Sequence, residues 1–108
     1  MTTPTRLVAD GGYTALGVTS ATNYNPNATQ TLMTVYRVIV NVSANAVSYV
    51  IDVLSGTTQT AGNTILTIPA NTAAGTIYEL NWPCILGLAL VPGSGVTLAA
   101  SYSVGNQG

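Results

Sequence analysis

Stretches rich in Thr, Val, Ile and Tyr alternate with Gly, Pro, Asn and Ser at short intervals along the whole chain, which leaves no segment for a helix of ordinary length. This punctuation is the pattern of an all-β domain. Strand signals cover 13–20, 29–42, 47–54, 63–68, 76–82, 84–91 and 96–104. Between them lie turn-forming runs: Asn25-Pro26-Asn27, Ser43-Ala44-Asn45-Ala46, Pro69 to Gly75, and Pro92-Gly93-Ser94-Gly95. The expected fold is an antiparallel β-sandwich or jelly roll of about seven strands, with hairpins at 43–46, 69–75 and 92–95. Residues 1–12 read as a polar N-terminal arm closed by Gly11-Gly12, 13–104 as the β-domain, and 105–108 as a short C-terminal tail.

A chain of 108 residues with 47% hydrophobic content forms one domain with a true core. Its polar part is unusual. Charged residues make up 5% of the chain, against about a quarter in an ordinary soluble domain, and the formal net charge is -1. Thr, Asn, Ser and Gln stand where Lys and Glu are customary. Such a surface suits a protein packed against copies of itself or a larger assembly. No apolar run approaches the roughly 18 residues of a membrane helix; the longest, 84–91, is broken by Gly87. The start of the chain lacks an apolar stretch behind a basic residue, so no secretion signal and cytoplasmic synthesis are expected. One Cys rules out an internal disulfide.

The same composition argues against catalysis. There is no His and no Lys, and the ionisable side chains reduce to Arg6, Asp10, Arg37, Asp52, Glu79 and Cys84 beside the tyrosines. A Ser or Cys nucleophile has no His or Lys to take its proton. Cys84, in the run Trp82-Pro83-Cys84-Ile85-Leu86, reads as a small buried hydrophobe. Zinc lacks ligands, no Asp-rich loop suits calcium, and no cofactor is expected. Three carboxylates are enough in number for glycoside hydrolysis, but nothing in the sequence brings two together. Two Arg cannot neutralise the several phosphates that nucleic-acid binding uses.

A four-residue loop at 43–46 would face Val42 with Val47 and set Arg37 opposite Asp52 on one sheet face. The pair is expected to be a cross-strand ion pair that fixes register, with a ligand or subunit contact by Arg37 as the alternative. Every aromatic residue is Tyr except Trp82, and Tyr hydroxyls suit sheet rims and interfaces. Tyr24 and Trp82 are interface candidates, and exposed rings of this kind also stack on sugars. Trp82-Pro83 is expected to close its strand, because Pro cannot donate to a ladder. Thr2, Thr3, Pro4, Thr5, Arg6 and Leu7 of the arm are further interface candidates, a frayed terminus being the plainer account.

The arm at 1–12, the segment Ile68-Pro69-Ala70-Asn71-Thr72-Ala73-Ala74-Gly75-Thr76 and the closing stretch from Gly87 to Val96 together resemble the small accessory proteins of tailed-phage virions. The nearest likeness is to head decoration, or cement, proteins with a β-sandwich or jelly-roll body. That resemblance implies a protein on the capsid surface that binds the major capsid protein or another virion protein, often as a trimer, and stiffens the shell. It implies no catalytic residues, no nucleic acid and no membrane. A tail-fibre, head-fibre or carbohydrate-binding module and a self-assembling shell or tail-tube subunit are the alternatives.

Overall fold

The computed structural model describes residues 12–25 and 32–104, and these form eight strands with no helix. In chain order they are β1 (Tyr13–Val18), β2 (Thr22–Asn23), β3 (Met33–Val42), β4 (Ser48–Ile51), β5 (Thr64–Ile68), β6 (Ile77–Cys84), β7 (Ala89–Val91) and β8 (Thr97–Val104). They make two antiparallel four-stranded sheets of order β1-β8-β3-β6 and β2-β7-β4-β5. The expected arm and tail lie outside the described residues, apart from Gly12.

The pairings β1/β8, β2/β7, β3/β6 and β4/β5 describe a chain doubled back at β4–β5 into one long two-stranded ribbon. Rolling that ribbon brings β3 against β8 and β4 against β7. This is the strand order of an eight-stranded jelly roll.

None of the three expected hairpins forms. The turns at 43–46, 69–75 and 92–95 all carry the chain from one sheet to the other. A cluster of Gly, Pro and Asn shows that the chain reverses but not which sheet it returns to. β4 and β5, joined by the long polar stretch 52–63, are the consecutive strands that do pair. The signal over 84–91 was also longer than its strand: Gly87 interrupts it, and β7 holds Ala89–Val91 alone.

The core lies between the sheets. Val35, Val38 and Val40 of β3 and Leu98 and Ala100 of β8 meet Val50 of β4, Leu90 of β7 and Ile68 of β5, with Met33, Cys84 and Leu88 filling one end. Each such buried Val or Leu contributes about 1.5–3 kcal/mol, so the small β-branched residues suffice without Phe. At the β3–β4 end the turns interlock: the Gly93 amide donates to Ser48 Oγ (2.8 Å) and the Asn71 amide to Ala44 O (2.8 Å).

Three of the four strands of the β1-β8-β3-β6 sheet are irregular. On β1 an extra residue at Leu16–Gly17 opposes Ala99, with Gly17 at φ 60. On β6 the stretch Leu80–Asn81 faces Tyr36, with Asn81 at φ 46. On β3, Tyr36 and Arg37 both point outward between buried Val35 and Val38. These are β-bulges, which re-aim side chains and bend edge strands away from further pairing.

Candidate functional site

β5 and β6 are the edge strands on one side of the sandwich. An open cleft of about 660 Å³ lies here, walled by Trp82, Pro83, Ile85 and Leu86 on one side and Asn63, Thr64 and Ile65 on the other. Trp82 is 50% exposed and sits opposite Val35, which in turn faces Tyr102, the partner of Tyr13. One cross-strand row therefore runs Tyr13, Tyr102, Val35, Trp82. β6 continues past Trp82-Pro83 to Cys84 because it is an edge strand, where a missing donor leaves no ladder bond unmade.

Asp52 also lines the cleft. The expected Arg37–Asp52 pair does not form, since β3 and β4 belong to different sheets. Arg37 instead stands opposite Glu79 on β6, with Nε 3.4 Å from Oε2 and both side chains more than half exposed. The Asp52 carboxylate accepts three successive backbone amides: Ile85 at 2.7 Å, Leu86 at 2.8 Å and Gly87 at 3.1 Å. Its own amide donates to Asn63 O at 2.8 Å. Asp52 thus ties the β6–β7 turn to the β4–β5 connection. Gly87 is required there, because a Cβ would lie 2.7 Å from Val53 O.

The other polar groups of the cleft are turned toward the chain itself. Asn63 Oδ1 accepts the Thr60 amide and its Nδ2 donates to Thr58 O, each at 2.9 Å. Thr64 Oγ1 donates to Thr60 O and accepts from Gln59 Nε2. The cleft consequently offers apolar surface and one indole, with its polar side chains already engaged.

Tyr24 is half-buried: its ring lies 5.2 Å from Tyr102, which also stacks on Tyr13 at 5.5 Å. Burial pushes the Tyr24 phenol up, against a hydrogen bond with Thr22. Burial also raises Tyr102, and the neighbouring Tyr24 and Tyr13 add to it. Burial first, and then the charge of Asp52, push the Cys84 thiol up to about 12, which makes it a poor nucleophile. Among the described residues no three Cys, Asp or Glu gather as a metal site. The arm candidates Thr2 to Leu7 lie outside the described residues.

Large apolar side chains crowd the β4–β5 end of the sandwich: Tyr13, Leu32, Trp82, Ile85 and Leu86 are all 40% or more exposed. Of these, sequence reasoning singled out Trp82 alone. Ile85 and Leu86 sat inside an apolar run that resembles a buried strand, and Gly87 was the one sign that the run breaks before β7. Comparison of the chain with protein-family models, curated proteins and solved structures finds no match.

Proposed function

We propose that this chain is a non-catalytic structural protein of a virion, a decoration protein that attaches to the outer surface of a phage head and stabilises it. The observation that carries the proposal is the exposure of Tyr13, Leu32, Trp82, Ile85 and Leu86 at one end of a nearly uncharged jelly roll. An apolar rim on a rigid β-body binds by shape and burial, and jelly rolls recur in capsid architecture. The titratable groups described at the site serve structure: Asp52 holds a turn and Cys84 is buried.

Adhesion of this kind depends little on salt, because screening acts on charges and few are present. The test is co-sedimentation of the purified chain with heads stripped of their accessory protein, at low and high salt. Saturable binding at both, weakened by Trp82→Ala and Ile85→Ser, is expected. Absence of binding, or its loss at high salt, contradicts the proposal.

A second reading, a glycan-binding fibre module, draws on the half-exposed Trp82 in its open cleft. Sugar binding pairs a stacking ring with free hydrogen-bonding groups, and the side chains of Asp52, Asn63 and Thr64 are already engaged. Glycan-array binding abolished by Trp82→Ala would favour this reading over head attachment.

A further inference from the structure

The two outer sheet faces are unlike. Over the β2-β7-β4-β5 sheet the chain folds back on itself: Asn23 Nδ2 donates to Gly56 O at 2.8 Å, and Ile51 and Ala89, outside the core cluster, are fully buried. On the outer face of the β1-β8-β3-β6 sheet Ala99 is buried at the floor between larger side chains. Leu16 is 76% and Ile77 56% exposed there.

That face is grooved. One cross-strand row reads Leu16, Ala99, Ile39, Ile77, and the next reads Thr14, Ser101, Arg37, Glu79. A depression of about 210 Å³ lies over β8, floored by Ala99 and Ser101 and walled by Thr14 and Leu16 of β1 and by Arg37 and Ile39 of β3. We propose that this face is a two-fold self-association interface, in which Ile39 of each copy seats in the depression of the other.

A two-fold axis along the strands at the centre of the sheet reverses each row onto itself. Leu16 then meets Ile77 of the second copy at the rim of the interface, both large and exposed, and Ile39 meets its Ala99, large on small. In the next row Arg37 faces Ser101 and Glu79 faces Thr14. The hydroxyls solvate the charges, no like charges oppose, and the Arg37–Glu79 pair within each copy survives. Four strands of about eight residues present roughly 500 Å² per copy, so two copies reach the roughly 1,000 Å² of a specific interface. Edge-to-edge pairing is the poorer route, because both edges of this sheet carry a bulge with a left-handed residue and β6 also carries Pro83. The interface is separate from the apolar rim at the β4–β5 end, so it stands whether or not the chain binds a head.

Sedimentation equilibrium from micromolar to near-millimolar protein tests it. A reversible dimer is expected. Leu16→Glu or Ile77→Lys alone should weaken dimerisation about tenfold or more, by burying an unpaired charge. The double variant should recover to near the parent value. Leu16 and Ile77 lie on opposite edge strands, three strand spacings or about 14 Å apart, so they cannot pair within one copy. Recovery therefore reports contact between copies. Both positions are exposed, and circular dichroism confirms that each variant is folded. A monomer at every concentration, a trimer, or folded single variants without rescue in the double would overturn the proposal.

Discussion

Asp52 Oδ2 accepts the amide of Ile85 at 2.7 Å, joining the residue after β4 to the residue after β6 across the two sheets. With the Leu86 and Gly87 amides on Oδ1, one carboxylate satisfies three donors that the β6–β7 turn leaves without strand partners. Asp52→Ala removes all three acceptors and should destabilise the fold by about 2–4 kcal/mol in urea denaturation. Asp52→Asn, which keeps one acceptor oxygen, should fall between. Because Trp82 lines the same cleft, its emission should shift with the loosened turn.

Gly93 and Gly62 separate steric need from entropy. A Cβ on Gly93 would lie 2.6 Å from Val47 O and 2.7 Å from the Ala46 Cβ, in the interlocked turns of the β3–β4 end. Gly93→Ala should cost about 1–3 kcal/mol. At Gly62 the nearest atom is 4.0 Å away and φ is not positive, so Gly62→Ala should be neutral or stabilise by up to about 1 kcal/mol, chiefly through the unfolded chain. Thermal denaturation of the two variants ranks them, and equal losses would contradict the packing described for Gly93.

The Cys84 thiol gives the fold an alkaline limit. The folded state holds this proton up to about 12, whereas an exposed thiol releases it near 9. Between those values the unfolded chain binds fewer protons, so stability falls as pH rises from about 9 toward 12 and is unaffected by this group below 9. Denaturant midpoints measured across that window should decline for the parent chain and decline less for Cys84→Ala. The raised Tyr24 and Tyr102 phenols add a residual slope of the same sign.

The Arg37–Glu79 pair is exposed on the outer face of its sheet and contributes little. In dilute, monomeric protein a double-mutant cycle with Arg37→Ala and Glu79→Ala should give a coupling of about 0.2–1 kcal/mol that vanishes at high salt. A larger, salt-resistant coupling would mean the pair is desolvated, as in a tight dimer.

The strands were legible in the sequence because β-branched residues and turn formers mark where a chain extends and where it reverses. Val38 and Val40 alternate with exposed or half-exposed neighbours, and that period survives in the burial of β3. What local pattern cannot carry is the destination of each reversal. Ser43-Ala44-Asn45-Ala46 makes an equally good hairpin or crossing between sheets, and the choice depends on β4 finding β5 and β7 rather than β3. The misplaced Arg37–Asp52 pair follows directly from that choice. β2, with its two residues Thr22–Asn23, was hidden in a loop signal because its pairing with Leu90 and Ala89 is purely tertiary. Asp52 as an acceptor for three amides had no sequence signature either, since its partners lie more than thirty positions along.

Shell stabilisation is most directly tested by adding the purified chain to stripped heads and measuring the temperature at which they release their DNA. A saturable rise in that temperature, reduced by substitution of Trp82 or Ile85 and unchanged by Arg37→Ala, is the outcome the decoration role predicts. An unchanged release temperature at saturating protein would contradict it.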